Sequence, residues 1–153
     1  VAGFLLSVHV LAAIVLVGGS AVAASLFPRY APVAATVPAG AGGRDAERSR
    51  SVAVALHRVT RVYGVAAVVV PVVGIVLAAV QGRMGEVWIS ISLVLTVLAG
   101  ALLALVVVPQ QRVALAEPDD GARLRRLGMV AGSYNLLWAA VVVLMIVRPG
   151  GRV

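Results

Sequence analysis

The chain contains no cysteine and no lysine, and only six of its 153 residues are acidic. Lack of cysteine excludes disulfides, thiolate metal sites and thiol nucleophiles together. Four long stretches, residues 4–27, 62–80, 87–108 and 127–147, contain no Asp, Glu, Lys or Arg. Carboxylate proton relays within those stretches are therefore excluded, as is a His/carboxylate metal centre. No charged or unwound segment marks the middle of any stretch, which argues against a transporter acting alone. Aromatic residues make up only 5% of the chain.

What is present is apolar. Hydrophobic residues account for 61% of the sequence, and its mean hydropathy is +1.06, well outside the range of soluble domains. At about 1.5 Å rise per residue, each of the four stretches is long enough to cross a hydrocarbon core of roughly 30 Å. Backbone groups in lipid must be satisfied within a segment, and the runs are too uniformly apolar for barrel strands, so helices are expected. The first stretch has small-residue sites at Ala21-Val22-Ala23 and Ala23-Ala24-Ser25 but no basic n-region, so it reads as a retained helix rather than a cleaved signal.

The net charge of +7 comes entirely from arginine, unevenly distributed. Arg29, Arg44, Arg48, Arg50, Arg58 and Arg61 fall between the first and second stretches, and Arg112, Arg123, Arg125 and Arg126 between the third and fourth. Only Arg83, Arg148 and Arg152 belong to the other side. The positive-inside rule then makes both basic loops cytoplasmic and both termini external. Arg48, Arg50, Arg58, Arg61, Arg123, Arg125 and Arg126 read as topology determinants and anionic-lipid contacts, not as a nucleic-acid surface.

Residues 28–43, rich in Pro, Gly and Ala, form a connector. Asp45 is placed to cap a helix that starts at about residue 46 and continues into the second stretch. Glu47, Arg50, His57 and Arg61 share one face of it, directed to water or headgroups, so His57 is expected to be solvated. Glu117-Pro118-Asp119-Asp120-Gly121 opens another helix with its acids first. The Gly82–Glu86 turn is short enough to make the second and third helices antiparallel neighbours. Arg58-Val59-Thr60-Arg61 and Arg123-Leu124-Arg125-Arg126 enter the second and fourth helices alike, a pattern consistent with a tandem repeat of two helical hairpins.

Lipid supplies no hydrophobic force between helices, so small residues and a few polar contacts should hold the bundle. Gly128, Ala131, Gly132, Asn135, Ala139 and Val142 share one face of the fourth helix, which is expected to be buried, with Asn135 as an interhelical fastener. Gly100 with Ala104, and Gly74 with Ala78, offer similar narrow surfaces. Pro71 should kink the second helix near Gly74. Trp88 suits an interfacial anchor, and Trp138 lies deeper, in packing.

His9 lies on the small-residue side of the first helix. One reading is a neutral imidazole bonded to a serine or a carbonyl; the other is a haem or copper ligand. His57 belongs to the opposite end of the bundle, so the second ligand at the depth of His9 would be Met145, with Ser92 at a similar level.

His9, the spacer after it and Gly18-Gly19 resemble the first helix of small bacterial membrane proteins, including the copper-resistance D-like group and actinobacterial families of unknown function. Trp88-Ile89-Ser90-Ile91-Ser92 and Met145-Ile146-Val147-Arg148-Pro149-Gly150 are similar to segments of four-helix members of those families. Leu16 stands where such proteins often carry Trp. Protoporphyrinogen-oxidising membrane proteins also place a histidine in the first helix, but the lysine they carry later is missing here. The resemblance implies a bacterial cytoplasmic membrane.

The expected fold is thus all-α: one integral membrane four-helix bundle over residues 1–153, N-out and C-out. The expected function is that of a non-enzymatic accessory or assembly subunit. Its partners would be membrane lipids and another membrane protein or a second copy. The alternative is a haem b- or copper-binding membrane protein centred on His9, and a third reading is a small-molecule or lipid carrier.

Overall fold

The computed structural model describes residues 1–34 and 48–150. Asp45 and Glu47, with the cap expected from the former, lie outside the described residues. Among those described, all regular structure is helical. Four helices are long and apolar enough to cross a membrane: α1 (Ala2–Tyr30), α2 (Arg50–Val80), α3 (Val87–Ala116) and α4 (Ala122–Val147). The shortest has 26 residues, or about 39 Å of helix at 1.5 Å per residue.

Each helix extends beyond its lipid-compatible stretch where the polar sequence permits. α2 starts at Arg50 with Ser49 as its N-cap, the hydroxyl facing the Val52 amide. At the head of α4, Asp119 accepts the amides of Gly121 (2.9 Å) and Arg123 (3.1 Å), while Asp120 accepts that of Ala122 at 3.0 Å. Carboxylates at a helix start satisfy its orphan amides and face the positive end of its dipole.

α1 pairs with α2 and α3 with α4, and the two hairpins close on each other through α1–α4 and α2–α3. The arginine-rich connections meet at one end. There the Ala34 amide donates to Asp119 O at 2.8 Å, the Arg48 guanidinium donates to Ala31 O at 2.5 Å, and Arg50 donates to Leu115 O at 2.6 Å. Phe27, Ala53, Leu115, Leu124 and Leu127 pack beneath them. The middle is filled by Ala24, Ala99, Leu103, Val107, Ala131 and Tyr134, beside a smaller cluster of Val17, Ala67 and Val70.

Two features of the fold leave no mark in the sequence. α1 and α3, the first helix of each hairpin, contain a π-turn, at Ala13–Val17 and Leu103–Val107. The extra residue of a π-turn leaves the side chains on either side in different registers, here with Val17, Leu103 and Val107 turned inward. Next to these turns the helices come close. A Cβ on Gly19 would stand 2.5 Å from the Tyr63 ring, and one on Gly64 would stand 2.5 Å from Leu103 Cδ2.

Pro71 acts one turn earlier than expected. α2 is interrupted at residues 67–68, ahead of the proline, rather than at Gly74. A proline removes the amide that would bond four residues back, and the Ala67 carbonyl accepts the Val70 amide instead, at 2.9 Å.

The small-residue face of α4 also differs from expectation. Ala131 is buried, but Gly128, Gly132, Ala139 and Val142 are exposed on the outside of the bundle, and so is Gly100 on α3. The inward face of α4 is Leu124, Leu127, Ala131, Tyr134 and Val141. Side chains of that size are needed to fill the space between two hairpins, which glycines cannot do.

Candidate functional site

The polar side chains within the helices form separate bonds rather than one centre. Ser20 on α1 donates to Val17 O at 2.9 Å, so the Tyr134 hydroxyl on α4, also 2.9 Å away, donates to Ser20. Tyr134 meets Trp138 edge-on, with ring centroids 6.4 Å apart. Asn135 Nδ2 donates to Ser25 Oγ at 2.9 Å, a second α1–α4 bond on the edge of the same interface. These two bonds fasten one hairpin to the other.

His9 is buried against α2. Its Nδ1 lies 2.9 Å from Val70 O. A carbonyl can only accept, so Nδ1 carries a proton in this bond and Nε2 is the ring nitrogen not engaged by it. The ring lies over Gly74, where a Cβ would be 2.9 Å from His9 Cε1. Gly74 is thus the small residue that admits the imidazole. The N-terminal half of α1 packs chiefly along α2, and no hydrogen bond joins His9 to Met145. The Met145 carbonyl accepts from Arg148 Nε at 3.2 Å. Among the described residues no group of three His, Cys, Asp or Glu side chains is placed to hold a metal ion.

His57 is half-buried and not solvated as expected. Its Nδ1 bonds Gln111 Oε1 at 3.0 Å across α2–α3. Gln111 is wholly buried, and its amide nitrogen has no partner among the described residues. In the sequence the third apolar stretch ends at Val108, before Pro109, so Gln111 falls outside it. The helix continues through that proline because Pro109 falls in the first turn after the π-turn, near residues whose amide pairing is already altered.

At the opposite end Trp88 donates its indole N–H to Glu86, which pairs with Arg83 at 3.3 Å. The Arg148 guanidinium lies 5.9 Å over the Trp88 ring. This cluster holds the start of α3 to the end of α4. Side-chain bonds therefore tie α1 to α2, α1 to α4 and α2 to α3, while α3 and α4 meet mainly by packing.

No protein-family model matches the chain, and no curated protein or solved structure matches it either. The functional reading therefore rests on the residues themselves. Of the sequence candidates, the structure brings His9 to Gly74 and Asn135 to α1. It leaves Gly128, Gly132, Ala139 and Gly100 facing outward, and Arg58, Arg61, Arg125 and Arg126 exposed at the basic end.

Proposed function

We propose that this protein is a non-enzymatic subunit of a bacterial cytoplasmic membrane, assembling with another transmembrane helix through the outward face of α4. In this reading the arginine-rich end is cytoplasmic and both termini are external. The observation that supports it is the open ridge of Gly128, Gly132 and Ala139. Both glycines lie in the membrane-spanning helix, and among the described residues no neighbouring atom comes within 4 Å of an added Cβ. Small residues at a spacing of four let two helix backbones approach closely enough for packing and weak hydrogen bonds to hold them in lipid.

The absence of native cysteine makes the test direct. A single cysteine replacing Gly132 or Ala139 is expected to crosslink in native membranes, to a second copy or to one partner protein. Gly132→Leu in an Ala139→Cys chain should abolish the adduct. A cysteine replacing Ala140, about 100° further round the helix, serves as the control. Equal labelling from positions 139 and 140 would remove the ridge as an assembly surface.

A second reading, haem b or copper bound at His9, is favoured by one detail. A carbonyl bond on Nδ1 with Nε2 left over is the arrangement that orients ligand histidines. Protein made with ample haem and copper should then show a reducible haem band, or bound copper, that His9→Ala loses. A flat spectrum and no copper would leave His9 as a helix-packing residue.

A further inference from the structure

At the arginine-rich end, a groove of about 460 Å³ lies between α3 and α4. We infer that it is a binding site for one anionic glycerophospholipid of the leaflet at that end. The inference depends on the chain spanning a membrane and not on which partner α4 meets.

The groove changes chemistry along its length. Val106 on α3 with Leu127 and Val130 on α4 line one part, and Gln110, Arg123 and Arg126 line the other. Val106 to Gln110 and Val130 to Arg126 are each four residues, about 6 Å of helix. Both walls therefore pass from apolar to polar within one turn, where the apolar stretches of the two helices end. That is the profile of a lipid at the interface, with phosphate beside the guanidiniums and acyl chain beside the valines. A free phosphate would leave the apolar part of the groove unused. The volume falls within the ordinary range of ligand sites, roughly 300–1,000 Å³.

The charge balance favours an anion. Arg126 has no hydrogen-bond or ion-pair partner among the described residues. Arg123 gives Nη1 to Glu117 O at 2.8 Å, leaving other N–H groups of its fork to bond elsewhere. The one acid on the lining is Asp119. Burial acts to raise its pKa, but the backbone amides of Gly121 and Arg123 and the charge of Arg123 outweigh it and hold the carboxyl below its ordinary value. Asp119 is thus ionised at neutral pH, with its oxygens turned to the helix amides. Two guanidiniums against one engaged carboxylate leave the groove positive. Arg125, between the two, does not line it; its guanidinium lies near Gly121.

The test is lipid retention in native mass spectrometry after reconstitution into nanodiscs of phosphatidylglycerol mixed with phosphatidylcholine. The unmodified protein should retain one phosphatidylglycerol in preference to phosphatidylcholine. Arg126→Gln should weaken that retention about tenfold, as expected for loss of a hydrogen bond to a charged group, while Arg125→Gln, which removes the same charge from outside the groove, should weaken it much less. Val130→Trp, which fills the apolar part and changes no charge, should also reduce retention. Equal losses from Arg125→Gln and Arg126→Gln would reduce the effect to general surface charge and overturn the site. Displacement of the lipid by inorganic phosphate, at matched ionic strength, would make it a phosphate site instead. Retention unaffected by Val130→Trp would likewise overturn a lipid in the groove.

Discussion

Tyr134→Ala is expected to lower stability by about 3–5 kcal/mol, the usual cost of truncating a fully buried aromatic side chain. Tyr134 is 1% exposed and lies among Ala24, Leu103, Ala131 and Trp138. It reaches from α4 to α1, so the void left by its removal would lie between the hairpins, where a lipid chain has no entry. The hydroxyl contributes much less than the ring. Ser20 still donates to Val17 O in a Tyr134→Phe variant, so no buried donor is orphaned there. The loss should be about 0.5–1 kcal/mol, as for other hydrogen bonds between membrane helices. Unfolding in mixed micelles of mild detergent and dodecyl sulfate would measure both. Equal costs for the two variants would mean that the hydroxyl, and not the ring, holds the hairpins together.

The number, length and hairpin order of the helices could be read from hydropathy because lipid imposes them. Every backbone amide in the hydrocarbon must be paired within its own helix, and only long charge-free runs can comply. Which face of a helix turns inward was a different matter. Leu136 and Ile146 face outward on α4 and Leu127 faces inward, yet all three are equally at home in lipid. Small residues were the remaining guide, and on α4 they led to the wrong face, because Tyr134 and Trp138 fill the space between the hairpins. The π-turns were invisible for a related reason. Ala13–Val17 and Leu103–Val107 are runs of ordinary aliphatic residues that carry no mark of a widened turn, and they lie against α2 and α4.

Among the polar residues, His9 could be assigned to the inward side, but its partner could not be foreseen. A carbonyl acceptor such as Val70 O leaves no mark in a sequence. Gln111 and His57 were misplaced together. The proline before Gln111 suggested that the helix had ended, and without a helix there, His57 had nothing to face except water. The arginines were legible as a set, from their grouping in two loops. What separates Arg126 from Arg125 is a rotation of about 100° on one helix, and only the packing of α3 against α4 decides which of the two borders a groove.

The close approach of α2 and α3 at Gly64 predicts the second large effect. Gly64→Leu should destabilise the bundle by about 3 kcal/mol, the upper part of the range for overpacking. Leu103 is the atom source of the clash, and it is 5% exposed, enclosed by Ala24, Ala131 and Tyr134. A leucine end group could turn aside at a surface, but Leu103 is buried in the same cluster as those residues and has little free space to turn into. Leucine is the sharper probe because alanine and leucine both gain up to about 1 kcal/mol of helix propensity over glycine, and only the larger side chain adds enough strain to outweigh that gain. Leu103→Ala alone should cost about 2–5 kcal/mol by opening a cavity. If the two side chains compete for one space, the double variant should be more stable than the sum of its parts by about 1 kcal/mol or more. Strict additivity in the same mixed-micelle unfolding would mean that α2 shifts away from α3 when position 64 is enlarged, and that Gly64 does not set their separation.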